Sequence, residues 1–320
     1  MIILDIIILK KAHLSFIQVM YSVAAYAIDH NDITFSFNHK CHKITILNER
    51  TIQKIIRSLV NIKWKITDQL DQILLQNSTI RCPICEKSQK REEYRILISE
   101  CIFLGGKLER YQCPDCDVIF GPLKMLNLDK TSLDLEYRFL YRFYSEGDTT
   151  DFEKKTFFEL NPKVNGKYLN YGCGKWSRCI DELRSEGWNV YGYEPYVMVS
   201  GEYIIDDIET LNKMKFDGIF SNNLIEHMQD PILEIKQIVN LLLPGGIIAH
   251  STSCFEYSIE YSRFHLFFFT GRSFNYILNS LNLIRLRKII QGEYICVSAK
   301  KHENSPLNFF IQSDCSGDQK

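Results

Sequence analysis

The segment Lys167 to Pro195, KYLNYGCGKWSRCIDELRSEGWNVYGYEP, limits what this chain can fold into more than any other. A short apolar strand, Tyr168 to Tyr171, runs directly into Gly172-Cys173-Gly174. Trp176, Cys179, Ile180 and Leu183 then fall at helical spacing, which predicts a helix with one face for a sheet. Gly187 is placed to end that helix, and Trp188 to Tyr193 reads as a second buried strand. Glu194 closes it, at the distance past the glycine turn where such folds place the acid that binds a ribose. Strand, glycine turn, helix and acid-tipped strand make up the front half of a nucleotide-binding α/β unit. The glycines let backbone approach a ligand where a Cβ would clash. A carboxylate at Glu194 can accept both hydrogen bonds of a ribose diol. The third glycine of a dinucleotide fingerprint is missing, since Ser177 follows in its place, and this disfavours a pyrophosphate cofactor and an NAD-dependent oxidoreductase.

Further along, Phe216 to Asn223 reads as a strand that turns polar at its end, followed by Leu224-Ile225-Glu226-His227 and Asp230-Pro231. Ile232, Ile235, Ile238, Val239 and Leu242 mark one helix face, Leu243-Pro244-Gly245-Gly246 closes it, and Ile247 to His250 is the next strand. The GCG turn with its acid, together with FDGIFSNNLIEHMQDP and LLLPGG, resembles in order and distance the motifs of class I S-adenosylmethionine-dependent methyltransferases, over about residues 155–300. The resemblance implies a Rossmann-like α/β fold with a seven-stranded sheet and S-adenosylmethionine as cofactor. It implies cofactor contacts at Asn170, Gly172, Cys173, Gly174 and Glu194, at Asp207 beside the adenine, and at Asn222 along the methionine end. This chain departs from the family's first motif, which has an Asp where Asn170 stands and a small residue plus Gly where Lys175-Trp176 stand. Asn170 keeps hydrogen-bonding capacity but carries no charge to orient the cofactor's ammonium.

The second strong signal is the pair Cys82-Pro83-Ile84-Cys85 and Cys113-Pro114-Asp115-Cys116, with a spacer longer than the shortest zinc-ribbon loops between them. Each CxxC can present two thiolates from one tight turn, and two such knuckles make a closed tetrahedral zinc site with no open catalytic position. The strand-like runs Tyr94 to Phe103 and Leu108 to Tyr111, joined by Gly105-Gly106, predict a hairpin between them. An aromatic helix follows, with Tyr137, Phe139, Leu140, Tyr141, Phe143 and Tyr144. Zinc module, aromatic linker and catalytic domain in this order resemble bacterial methyltransferases that act on sugars or on envelope and secondary-metabolite precursors.

Composition narrows the partners. The chain of 320 residues is 45% hydrophobic and has a net charge of −1. Residues 78–125 carry 8 basic and 7 acidic residues, no excess for a phosphate backbone, which argues against a nucleic-acid partner. Eleven cysteines and the two knuckles favour reduced thiols, a metal and a cytoplasmic setting over disulfides. The apolar start MIILDIIILKK and the stretch His13 to Ile28 are both interrupted by polar residues, which argues against an integral span and leaves peripheral membrane contact open. His30, His39, Cys41 and His42 cluster near a predicted hairpin between Ile33 and Ile46, and Asn48 is placed to cap an amphipathic helix carrying Ile52, Ile55, Ile56, Leu59 and Ile62.

The expected organisation is a small α+β segment of unassigned role over 1–80, a zinc-ribbon-like module over 81–125, an aromatic linker helix over 126–154, the methyltransferase domain over 155–300 and a disordered tail over 301–320. His227, just past the fourth strand of the sheet, is the expected base; Glu226 orients it or touches the cofactor, and His265, with Tyr257 and Tyr261, belongs to the second tier. The expected acceptor is a small molecule, a sugar or nucleotide sugar among them. The alternatives are an RNA methyltransferase gripping its substrate through the zinc module, or a cofactor-binding protein whose catalysis has decayed.

Overall fold

A computed structural model describes residues 49–76, 78–145, 147–174, 178–195, 201–256 and 261–302. The two apolar stretches near the start, the expected hairpin at 33–46, the His/Cys cluster beside it, the Asn48 cap, Lys175, Trp176, Ser177, Tyr257 and residues 303–320 lie outside these ranges.

The larger of two main sheets has seven strands. They are β6 (Tyr168–Tyr171), β7 (Val190–Tyr193), β8 (Ile204–Ile205), β9 (Phe216–Asn222), β10 (Leu242–Ser251), β12 (Leu283–Gln291) and β13 (Tyr294–Lys301), in the order β12-β13-β10-β9-β6-β7-β8. The five from β10 to β8 run parallel, while β13 is antiparallel to both β10 and β12. The order reverses beside β6, so β6 and β9 are neighbours and their carboxyl ends open a crevice at the switch point. Helices α4 (Thr150–Phe158), α5 (Cys179–Ser185), α6 (Ile208–Asn212), α7 (Pro231–Asn240) and α8 (Ser273–Ser280) connect or cover the strands. The chain dictates their ends: Asp230 accepts from the Leu233 amide with Pro231 in the first turn, and Gly187, at φ +93°, stops the α5 segment as expected.

The smaller sheet belongs to the cysteine-bearing region. Strands β3 (Arg95–Glu100) and β4 (Lys107–Gln112) form the predicted hairpin, and β5 (Ile119–Phe120) adds to β4. A fourth strand, β11 (Phe267–Phe268), comes from the far end of the chain and pairs with β5, Phe267 opposite Phe120 and Phe268 opposite Ile119. A two-stranded ribbon, β1 (Thr79–Arg81) with β2 (Ser88–Lys90), carries the first knuckle. One continuous apolar core runs from Ile80, Tyr94 and Tyr111 through Phe120 and Phe264 to Leu169 and Ile219. The cysteine region therefore shares a core with the large sheet.

Two longer helices brace this junction. In α1 (Glu49–Leu74), Ile56, Val60, Trp64 and Thr67 form the buried stripe, whereas Ile55 and Ile62, expected on the packed face, are exposed. Steps of four from Ile56 lead to Val60 and Trp64, and the bulk of Trp64 sets which side packs. The aromatic helix α3 (Lys130–Phe143) follows the short helix α2 (Leu123–Leu126); Asp129 caps α3 through the Ser132 amide. Between the helices lies a buried ion cluster. Glu136 of α3 accepts from Arg263 Nη2 at 2.7 Å and from Lys63 Nζ of α1 at 2.6 Å. Burial opposes ionisation of Glu136, yet Arg263 and Lys63 hold its carboxyl below the ordinary range.

Glu136→Gln would leave the Arg263 guanidinium buried against a neutral group. The expected loss is about 3–5 kcal/mol of unfolding free energy, measured by urea denaturation at pH 7.

Candidate active site

The crevice is built from the strand ends of β6, β7, β9 and β10. Gly172 sits at φ +74°, and a Cβ there would stand 2.8 Å from Leu224 Cδ1, so the glycine turn and the turn after β9 pack directly on each other. The amides of Gly172 and Cys173 both donate to the Tyr193 carbonyl, at 2.8 and 3.1 Å, which ties the turn to β7. Glu194, buried at the end of β7, accepts from the Gly174 amide through Oε2 at 3.1 Å. The sequence-predicted acid thus meets the glycine turn itself.

Asn170 is fully buried. Its Nδ2 donates to Glu153 Oε2 of α4 at 2.5 Å, and Glu153 Oε1 accepts from Thr149 Oγ1 at 2.6 Å. Asn170 Oδ1, also buried, has no hydrogen-bond partner among the described residues. Asn222 Oδ1 accepts from Ser251 Oγ at 2.7 Å. Asp207 stands apart as the exposed N-cap of α6, accepting from the Glu209 and Thr210 amides.

Asn223 adopts φ +48°, a left-handed conformation asparagine tolerates, and its amide donates to Ser251 O at 2.8 Å. The chain bends there into a short turn, Ile225–His227, that returns Glu226 and His227 over the strand ends. Glu226 is buried and accepts from Thr252 Oγ1 at 2.6 Å, just past β10. His227 Nδ1 lies 3.0 Å from the Phe264 carbonyl, which can only accept, so Nδ1 carries the proton and Nε2 the lone pair. The Tyr137 hydroxyl of α3 lies 3.3 Å from the same Nδ1. His265 meets His227 edge to face, with ring centroids 4.8 Å apart, and its Nδ1 lies 3.5 Å from Cys254 Sγ. Ligand-type atoms of Glu226, His227 and His265 all fall within 4.8 Å of one another. The three residues read as catalytic from sequence are thus brought together from two distant stretches.

The loop carrying His265 is held from the cysteine region. Arg110 of β4, buried, donates through Nη2 to the carbonyls of Ser262 at 2.6 Å and His265 at 3.2 Å. The Gly121 amide donates to Leu266 O at 3.0 Å.

The cysteines form a second centre. Cys82 and Cys116 sulfurs lie 3.7 Å apart, Cys85 and Cys113 sulfurs 3.6 Å, and all four fall within 4.8 Å. The two knuckles repeat one geometry: the residue after each second cysteine, Glu86 or Asp117, is left-handed, and its amide donates back to the first cysteine's carbonyl. The hydrogen bond from Cys82 pulls the Cys116 thiol down to about 6, while Cys82 is pushed up by the same contact. Such a set can hold a metal. Arg272, leading into α8, binds Asp117 Oδ2 through Nε at 2.8 Å, which fixes the second knuckle to the large domain.

Comparison with known proteins covers part of the chain. Residues 142–286 match the family model of a methyltransferase domain. Similar solved structures include an S-adenosylmethionine-dependent methyltransferase from Mesorhizobium loti (13% identity, 44% of this chain and 93% of that one, TM-score 0.33). Another is a possible histamine N-methyltransferase from Thermotoga maritima (17% identity, 52% and 95%, TM-score 0.35). A third is a putative methyltransferase from Listeria monocytogenes (14% identity, 48% and 99%, TM-score 0.35). No curated protein matches the chain.

Several site residues escape a reading of the sequence. Glu153 looks like a surface acid in TDFEKKTFF; the signal is that Thr150, Glu153 and Thr156 share the face that also carries Phe157. Thr252 and Arg110 give no signal, since each acts through a contact with a distant part of the chain. Tyr137 belongs to an aromatic stripe that reads chiefly as packing.

His250 is fully buried on β10, with Nδ1 2.6 Å from Ser221 Oγ, and burial lowers it from 6.5 to about 4. Unfolded chains bind its proton below about 6.5. The folded state takes it up only near 4, so stability is unaffected above that window and declines as pH falls through it. His250→Asn removes this dependence: between pH 6.5 and 4 the wild type loses on the order of 3 kcal/mol more than the variant in urea titrations.

Proposed function

We propose that the protein transfers a methyl group from S-adenosylmethionine to a small hydroxylated acceptor, a sugar, nucleotide sugar or related envelope or secondary-metabolite precursor, and that His227 acts as the base. The observation that carries this reading is the convergence of Glu226, His227 and His265 at the strand ends, beside the turn on which Gly172 and Leu224 pack. The cofactor supplies an electrophilic methyl for in-line displacement. The residues present fit it: Gly172 leaves backbone where a Cβ would collide, and Asn170 Oδ1 is a buried acceptor in need of a donor. Glu194 takes the ribose diol, Gly172, Cys173 and Gly174 the backbone contacts, and Asn222 lines the methionine end. Asp207, already capping α6, retains acceptor capacity for the adenine amine.

His227 presents Nε2 to the acceptor hydroxyl because the Phe264 carbonyl holds the proton on Nδ1. Taking the hydroxyl proton gives an imidazolium, which the buried Glu226 carboxylate stabilises. His265, packed on the His227 ring, limits its rotation. The aromatic face of α3, with Tyr137 and Tyr141 stacked, offers one wall to the acceptor.

The four cysteines are proposed to bind a structural zinc ion. A tetrahedron with Zn–S bonds of about 2.3 Å has edges of about 3.8 Å, close to the S···S separations of the two pairs. A small acceptor is favoured over RNA because Lys87, Arg91, Lys107 and Lys124 of the module each pair with a carboxylate. The reduced thiol set suits a cytoplasmic setting. Among the described residues no helix is long and apolar enough to cross a membrane.

Calorimetry with S-adenosylhomocysteine tests the cofactor: wild type binds, and Gly172→Ala, strained at φ +74°, loses about tenfold or more in affinity. Absence of binding to wild type sinks the assignment. In a methylation screen over nucleotide sugars, His227→Ala lowers turnover by about 10²–10⁴ while S-adenosylhomocysteine affinity holds; an unchanged rate rejects His227 as the base. Metal analysis of purified protein is expected to find one zinc per chain, and Cys82→Ser to lose it.

A further inference from the structure

We propose that Glu153 of α4 supplies the negative charge that the neutral Asn170 amide lacks, and that the pair together receives the cofactor's ammonium group. The inference rests on the S-adenosylmethionine reading and adds a residue to it.

The Asn170 side chain is fully buried at the end of β6, just before Gly172, and its Nδ2 donates to Glu153 Oε2 at 2.5 Å. A carboxylate accepts hydrogen bonds and cannot donate them, so this contact fixes which end of the amide faces Glu153. The amide oxygen is therefore turned the other way. Among the described residues Oδ1 has no hydrogen-bond partner, a buried state that costs on the order of 1–3 kcal/mol unless a ligand donor satisfies it. An ammonium is the donor-rich group of the cofactor, with three N–H bonds and a positive charge.

Glu153 is buried as well, and it accepts from Asn170 Nδ2 and from Thr149 Oγ1. A buried carboxylate behind an amide polarises it and raises the acceptor strength of Oδ1. The same charge acts directly on a cation nearby, with little screening at such depth. Local geometry holds Glu153 in place. It lies one turn into α4, on the face shared with Thr150, Thr156 and Phe157, and Thr156 bonds Ser251 Oγ at 2.7 Å beside Asn222. The first turn of α4 thus brings an acid to the strand ends of β6, β9 and β10. Glu153 is a positioning residue here, and Asn170 the contacting one.

The test is calorimetry on the full chain with two probes, S-adenosylhomocysteine and its analogue lacking the α-amino group. Wild type should prefer the amine-bearing probe by about tenfold or more, the size of one charge-assisted contact. The near-isosteric Glu153→Gln should lose about that factor for S-adenosylhomocysteine and stay within about twofold for the deaminated probe. Glu153→Gln with Asn170→Asp, which puts an acid on the strand itself, should recover most of the loss. Equal affinity of wild type for both probes overturns the proposal without any variant. A Glu153→Gln that weakens both probes alike, or neither, also overturns it and leaves the cofactor assignment standing. Failure of wild type to bind either probe overturns the cofactor assignment and this inference together.

Discussion

A fully buried arginine in the middle of a loop is the constraint from which much of this structure follows. Arg263 cannot be left charged in an apolar core without a partner, and its Nε and Nη2 donate to Glu136 Oε2. Glu136 in turn holds Lys63, and Arg263 Nη1 reaches the Phe103 carbonyl at 2.5 Å. The cluster closes only when α1, α3, the β3–β4 hairpin and the loop before β11 are all in place. Segments far apart in sequence are therefore committed to one arrangement by a single ionic centre. Such a centre adds little net stability compared with apolar packing, but a misregistered loop would strand a buried charge, and this makes the arrangement specific.

The neighbours of Arg263 hold the imidazoles proposed as catalytic. Ser262 and His265 lend their carbonyls to Arg110, the Phe264 carbonyl fixes the tautomer of His227, and Leu266 bonds back to both Gly121 and Glu226. Pairing of β11 with β5 then makes the same loop a strand of the cysteine region's sheet. The imidazoles are thus oriented by backbone groups that the cysteine region holds still. The proposed metal at the four thiols would set the frame of the proposed active site without touching a substrate.

What can be read from the chain alone follows the range of the interaction. The β6–glycine–α5–β7 unit, the β3–β4 hairpin and the α7 cap are local, and each is legible from spacing and turn chemistry within one short stretch. Cys82, Cys85, Cys113 and Cys116 are legible because thiols in paired turns have few other uses. Glu226, His227 and His265 can be singled out by type and by place beyond strand ends, but their meeting depends on the bend at Asn223 and on a loop well downstream of it. The β11–β5 pairing is illegible: two phenylalanines in an aromatic loop carry no mark of a partner strand in the distant cysteine region. The packed face of α1 departs from expectation for a related reason, since its residues are apolar on more than one side and only the partner surface selects Trp64.

Charge placement bears on the proposed choice of a small acceptor over a polyanion. On the cysteine region Lys87 pairs with Asp115, Arg91 and Lys107 share Glu109, and Lys124 is sunk against Asp68 at 2.6 Å, where burial lowers its affinity for a proton. Arg110 donates through Nη2 to the carbonyls of Ser262 and His265. These cations are bound to structural duties, and a polyanion would have to break ion pairs before gaining any attraction from them. At the crevice, by contrast, the groups brought together are a carboxylate, two imidazoles and the tyrosine hydroxyl of Tyr137. In the proposed reading, that set would bind the hydroxyls of a small polar acceptor. On the same proposal the aromatic helix would pack a ring against the apolar face of a sugar while the polar groups opposite bind its oxygens.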